Sequence, residues 1–431
     1  MNRREALSVL AGGMGGTVAK SAERPNFLFI LADQFRGDAL GADGNKQTIT
    51  PNLDKLASGG VRFASAYVPQ AVCTPSRASL LTGVYPTTHG LTDNVYGVDT
   101  VFTDKRYRLT PHYPGLLREA GYHTGYIGKW HLGEKNPEVF DFWNGYNSQL
   151  SHWLGARDES PYRSDVETDE AIGFMERNAN RPFALTVSYY PPHTPYVPPA
   201  RFVKMHAGGP LEPAEYYAAC TAIDHCVGRL LDALEKRGLG PRTMVIFTSD
   251  HGETFGRRLL SSNKRVCYED SARVPMLIRY PDRLPAGKVF EGGVSTMDLM
   301  PTMLEAGGIR VPSAVQARSR FRQILDGKLG WSEPVFQQNV TQPKLMGGPH
   351  DERMVRMREW KLILRRFRGR EAPPAAGIEL FSLADDPGEQ ADQSLQPAAR
   401  GKIRELAGMM RDWGRRINDP VAVELAGQRL A

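Results

Sequence analysis

The chain has 431 residues, 41% hydrophobic and 24% charged, with a formal net charge of +6. These are the proportions of a soluble globular protein long enough for one large domain and a smaller one. No apolar run is long enough to span a bilayer, and the basic excess is compatible with anionic substrates without marking a nucleic-acid partner.

At the N-terminus, Arg3-Arg4 precedes a short Gly/Ala-rich stretch with small residues up to Ala19. This resembles a bacterial twin-arginine export signal, so residues 1–24 are read as signal and linker, and a periplasmic or secreted location is expected. From Pro25 onward, unbroken apolar runs predict buried strands at 26–32, 183–189, 243–248 and 275–280. Strands are also expected at 61–67 and 123–127. Helices are expected at 52–58, from Cys73 onward, and at 113–120, 164–178, 215–237 and 298–306.

Strands alternating with helices predict an α/β fold with a large, mostly parallel sheet flanked by helices. Asp33, His193 and Asp250 each follow a strand end, where open α/β sheets bind ligands. After residue 330 the pattern changes to short antiparallel strands at 334–340, 353–360, 361–365 and 378–382, then a helix at 396–416. The expected division is a catalytic domain over 25–330 and an α+β subdomain, an antiparallel sheet plus helix, over 331–431.

Residues 71–83 carry the strongest signal: Ala-Val-Cys73-Thr74-Pro75-Ser76-Arg77, then Ala-Ser-Leu-Leu-Thr-Gly. Pro75 suits the first turn of a helix. Cys73 therefore falls at a helix N-terminus, where free N–H groups favour negative charge. Arg77 lies one turn along on the same face. The stretch resembles the modification motif of type I sulfatases, in the alkaline-phosphatase-like superfamily. Gly121-Tyr-His-Thr-Gly-Tyr-Ile-Gly128-Lys129-Trp130-His131 resembles a second motif of that family, and Glu379-Leu-Phe-Ser-Leu-Ala-Asp-Asp-Pro387 its C-terminal strand and turn.

The resemblance implies a sulfuric ester hydrolase in which Cys73 is oxidised to formylglycine by a formylglycine-generating enzyme. It implies that Lys129 steadies the hydrate and its sulfate adduct, and that His131 is the base when sulfate leaves. His193 and Lys264 would contact sulfate and protonate the departing oxygen, with Arg265 a competitor for the place of Lys264. Arg77 would help absorb charge on the sulfate oxygens. The pairs Asp33-Gln34 and Asp250-His251 offer oxygen donors that suit a hard divalent cation such as calcium. With modified Cys73 they form the expected metal set. The nitrogen of His251 makes manganese a competitor, with magnesium also open. The family commonly has a second Asp where this chain has Gln34.

With Cys73 reserved for chemistry, Cys220, Cys226 and Cys267 leave an odd number, which argues for buried thiols and against a disulfide framework or a zinc site. Two other functions stay open: a phosphonate or phosphate monoester hydrolase of the same superfamily, and a non-catalytic binder of sulfated glycans. The expected substrate is a sulfated small molecule or glycan. Trp143, Trp153, Arg157 and His350 are either specificity residues or packing residues.

Overall fold

Strand β1 (Asn26–Asp33) is buried along its whole length. Its side chains alternate between two cores, as the period of a strand requires. Phe27, Phe29 and Leu31 enter one cluster with Tyr113, Met244 and Leu304, while Leu28, Ile30 and Ala32 enter another with Val187, Val227 and Phe247. A strand covered on both faces has no polar alternation, which is why it reads as one apolar run. The computed structural model describes residues 24–148, 150–211, 213–258, 263–340, 350–367 and 377–430. The proposed export signal lies outside them.

The other strands are β2 (Val61–Tyr67), β3 (His123–Lys129), β4 (Phe142–Tyr146), β5 (Phe183–Pro192), β6 (Thr243–Ser249), β7 (Met276–Arg279), β8 (Lys288–Ser295), β9 (Val335–Val340), β10 (His350–Met357), β11 (Trp360–Phe367) and β12 (Ile378–Ser382). The first eight form one sheet in the order β4-β3-β5-β1-β6-β7-β2-β8. β1 pairs in parallel with β5 and β6, and β3 in parallel with β5. Only β7 runs antiparallel to its neighbours. The C-terminal ends of β3, β5, β1 and β6 therefore share one edge.

The sequence patterns missed β4 and β8, and these are the two edge strands of the sheet. An edge strand is half solvated and lacks a continuous apolar run. Each also carries glycine, Asn144-Gly145 in β4 and Gly292-Gly293 in β8, which weakens the strand signal.

β9 to β12 form a separate antiparallel sheet in the order β12-β11-β10-β9. The strand expected over 353–360 instead ends at Met357. Arg358 takes a positive φ of 54° and turns the chain, so Trp360 opens β11 opposite Met357. The helix Arg400–Ile417 covers one face, with Met410 and Trp413 packed against Phe336, Val355 and Leu362. A final helix, Pro420–Gly427, was not foreseen, although Asp419-Pro420 is a cap followed by a first-turn proline.

Asp419 accepts N–H groups from Val421 and Ala422, receives Gln338 Nε2 at 2.7 Å, and pairs with Arg353 at 2.5 Å, both partners 1% exposed. Removing one partner of a buried pair strands the other charge. Asp419→Ala should cost about 3–5 kcal/mol. Urea unfolding of the full chain checks this, and a loss under about 1 kcal/mol would contradict it.

Candidate active site and metal centre

Four strands, one helix and the loops that follow them deliver the predicted residues to the shared sheet edge. Asp33 ends β1, Lys129 ends β3, and Asp250 and His251 follow β6. His193 follows β5. Cys73 is the first residue of the helix Cys73–Thr82, whose ten residues are all buried. Pro75 is in its first turn, as expected. The helix has no cap from its own N-cap residue, Val72. Instead Asn94 Oδ1 accepts the Thr74 N–H at 3.0 Å.

Ligand atoms of Asp33, Cys73, Asp250 and His251 all lie within 4.8 Å of one another, and all four residues are buried. His251 Nε2 is 3.2 Å from Cys73 Sγ, 3.7 Å from Asp33 Oδ1 and 3.6 Å from Asp250 Oδ1. Its Nδ1 is 2.8 Å from the Gly252 carbonyl oxygen. Donation from Nδ1–H to that carbonyl leaves the Nε2 lone pair facing the cluster, the tautomer a metal ligand needs. Gln34 Oε1 faces the same space, accepting from Lys264 Nζ at 3.2 Å. Two carboxylates, an amide oxygen and an imidazole nitrogen fit a divalent cation.

Arg77 lies beneath this set. Its Nε donates to Asp250 Oδ2 at 2.8 Å and its Nη2 to Asp33 Oδ2 at 3.0 Å, while Nη1 reaches Lys129 O at 2.7 Å and Ser188 Oγ at 2.8 Å. The guanidinium is committed to bracing the carboxylates. This bracing of the two carboxylates is a role the sequence did not show, beside the expected contact with sulfate oxygens.

The ammonium groups nearest Cys73 belong to Lys129 and Lys264, with Nζ 3.9 Å and 3.4 Å from Sγ. Lys129 also contacts Asp33 Oδ2 at 2.5 Å and lies over the Tyr190 ring, 4.4 Å from its centroid. Lys264, and not Arg265, enters the site: Arg265 pairs with Asp93 at 2.6 Å. Burial opposes ionisation of the Cys73 thiol, but Lys129, Lys264 and His251 override it and hold the thiol well below its ordinary value. Burial and Cys73 likewise oppose ionisation of Asp33, and Lys129, His193 and Arg77 override them. Burial and the Asp33 charge push Asp250 upward.

Both ring nitrogens of His131 are buried, and the imidazole faces the Cys73 thiol. Burial, reinforced by Lys129, outweighs the opposing contact with Cys73 and pushes its imidazole down to about 4. It is therefore neutral near pH 7, with a lone pair free to accept a proton. Gln34 and His131 both adopt positive φ, 71° and 59°. Such strain in non-glycine residues gathers at functional sites. Gly128 takes φ 98°, and a Cβ there would fall 2.1 Å from Ser188 O, so the end of β3 needs glycine to approach β5. Lys129 and His131 thus reach Cys73 around a turned segment, not along a straight strand.

His193 Nδ1 lies 2.7 Å from Thr194 O, and Lys264 Nζ lies 3.2 Å from His193 Nε2. Burial, Lys264 and Lys129 all push this imidazole below its ordinary value. With Nδ1–H donated to Thr194 O, His193 Nε2 is left to accept from Lys264 Nζ. His152 Nε2 is 3.1 Å from His193 O and its ring lies 4.6 Å from that of Tyr190, helping to fix the loop. Of the open specificity candidates, Trp143 packs on Tyr126 and Trp130, and Trp153 is 6% exposed with Nε1 bonded to Val197 O. Both are packing residues. Arg157 Nη2 reaches Pro198 O at 3.3 Å, and the His350 side chain lies outside the described residues.

Sequence reasoning missed Ser188, Tyr190, His152 and Glu253. Ser188 and Tyr190 sit in the strand that leads to His193, and Glu253 is two residues past His251, so proximity was their only signal.

Residues 25–309 match the sulfatase family model, and residues 261–413 match a model described as N-sulphoglucosamine sulphohydrolase, C-terminal. The chain belongs to the sulfatase family. Over 339 residues it is 31% identical to an ulvan-active sulfatase of Formosa agariphila, covering 68% of this chain and 63% of that protein. It is 27% identical to an N-acetylglucosamine-6-O-sulfatase of Bacteroides thetaiotaomicron, covering 72% of each. Among solved structures it resembles Ps i-CgsB in complex with k-i-k-neocarrahexaose, with a TM-score of 0.74 and 26% identity over 92% of this chain and 93% of that one. This sulfatase-family chain also shares the family fold, a large mostly parallel sheet with a smaller antiparallel sheet after it.

The bracing by Arg77 has a measurable consequence. Arg77→Met leaves Asp33 and Asp250 buried without their counter-charge. Metal-free protein should lose roughly 3–5 kcal/mol, and millimolar calcium should restore much of it by binding the folded state. Unfolding with EDTA and with calcium checks this. Equal losses under both conditions would contradict it.

Proposed function

We propose that this protein hydrolyses sulfate esters of sugars or polysaccharides, at residue 73 after its cysteine is oxidised to formylglycine. The observation that carries this is the convergence of Lys129, Lys264 and His131 on Cys73 beside an oxygen-rich metal set. The three relatives support a saccharide substrate, since each name or title concerns a saccharide or its sulfate. The N-terminal arginine pair supports export, with modification by a formylglycine-generating enzyme beforehand.

Asp33, Gln34, Asp250 and His251, with residue 73, would hold one divalent cation, calcium foremost, with manganese or magnesium compatible. When bound, the cation lowers the pKa of the residue-73 hydroxyl and polarises the sulfate group. The remaining work falls to the chain's own side chains. Lys129 and Lys264 flank the position of Cys73 Sγ, which marks where the nucleophilic oxygen would sit. Their charges meet the charge that grows on the sulfate oxygens. Arg77 keeps both carboxylates aimed. As the ester S–O bond breaks, Lys264 supplies a proton to the departing alcohol through or beside His193. His131, neutral and beside residue 73, accepts the proton released from it as sulfate leaves. An unmodified thiol has no second hydroxyl from which that proton could come.

The phosphonate hydrolase alternative shares the donor set of the metal site. The position of Lys129 and His131 beside Cys73 favours the sulfatase reading. Turnover of an aryl sulfate against a phenylphosphonate ester on one preparation separates the two.

Cys73→Ala should abolish turnover, and mass spectrometry of active protein should find residue 73 as formylglycine. Fully active protein carrying only unmodified Cys73 would overturn the reading. His193→Ala should slow sugar sulfates at least tenfold more than nitrophenyl sulfate, because a low-pKa phenolate leaves without an acid. His131→Ala should instead give a burst of one alcohol per site followed by slow turnover. Equal losses on both esters for His193→Ala, with no burst for His131→Ala, would show the roles to be misassigned.

A further inference from the structure

Glu253 is fully buried beside the metal set. Three donors reach its carboxylate. Gln34 Nε2 and Tyr196 OH donate to Oε2, the latter at 2.9 Å, and the Phe255 N–H donates to Oε1 at 2.7 Å. On the opposite side of the Gln34 amide, Lys264 Nζ lies 3.2 Å from Oε1.

An amide is a donor at one end and an acceptor at the other. A carboxylate surrounded by donors can only accept, and an ammonium can only donate. Between Glu253 and Lys264, one orientation of Gln34 makes both hydrogen bonds. The flipped orientation makes neither and sets like-signed ends together. The satisfied orientation sends Oε1 toward the cluster, since the same Lys264 Nζ is 3.3 Å from His251 Nε2 and 3.4 Å from Cys73 Sγ. Where a carboxylate would stand at position 34, this chain has a neutral oxygen with the carboxylate one layer behind it.

We propose that Glu253 is a positioning residue that fixes the Gln34 amide with its oxygen toward the divalent cation. The inference rests on Gln34 being a ligand of that cation, so the test separates the two ideas.

Calcium affinity is measured by titration calorimetry on the full chain, with sulfate-ester turnover followed against calcium concentration. Outer partners of metal ligands typically govern affinity by 10–100-fold. Glu253→Gln, which keeps the volume, should weaken calcium binding by roughly that factor, with turnover recovering at saturating calcium. Gln34→Glu should also weaken binding, because two carboxylates then face each other. The exchanged pair Gln34→Glu with Glu253→Gln restores one acid and one amide. It should bind calcium better than either single variant, a recovery that a general loss of folding would not give. Calcium binding unchanged in Glu253→Gln, or an exchanged pair no better than the singles, would overturn the proposal while leaving the metal site standing. If Gln34→Ala binds calcium normally while Asp250→Ala does not, Gln34 is not a ligand, and the proposal falls with that reading.

Discussion

The site depends on the buried contact of one guanidinium with two carboxylates. Asp33 and Asp250 are both 0% exposed, and Arg77, 3% exposed, bonds to each of them. Two like charges this deep in a protein would drive one another to take up protons. A divalent cation would relieve them, but only once bound. Arg77 lets the chain fold before any metal arrives. Its planar fork also matters, because separate N–H groups serve the two acids while another holds the end of β3 through Lys129 O. Lysine at position 77 would offer one point charge and could not hold all of these at once.

The order of strands explains why these residues meet. β1 sits between β5 and β6, all three parallel, so residues distant in sequence leave the sheet side by side. Ala32 is level with Ser249, and Leu31 with Ser188. Asp33, Asp250 and the serine that receives Arg77 are therefore neighbours by register alone. The helix that begins at Cys73 brings its N-terminus to the same edge, where its dipole and the two lysines favour an anion.

Legibility in the sequence followed burial and chemistry. The central strands were evident because both faces are covered, whereas the edges β4 and β8 were hidden by glycine and half-exposure. The Cys73 motif and the Asp pairs were evident because few other roles use those residue types at those spacings. Arg77 was found by its place in the motif, but its direction was not readable, since one turn of helix is compatible with facing either the thiol or the acids. The hydrogen bond that His193 accepts from Lys264 was equally hidden, because it follows from the Thr194 carbonyl beside Nδ1. Glu253 and Tyr190 act through contacts that only the folded chain creates.

The segment entering the Cys73 helix is held from the far end of the chain. Asn339 in β9 accepts the Ala71 N–H at 3.1 Å, and the Gln338 N–H reaches Pro69 O at 2.8 Å. Cys73 itself is 0% exposed in the finished fold. A modifying enzyme must grip several residues around its target, which this clamp withholds. An enzyme acting on residue 73 would meet it more openly before β9 docks than after. During synthesis, β9 emerges roughly 270 residues after Cys73, a delay of some tens of seconds at usual elongation rates. The distance between motif and clamp along the chain thus sets how long residue 73 stays outside the finished fold during synthesis.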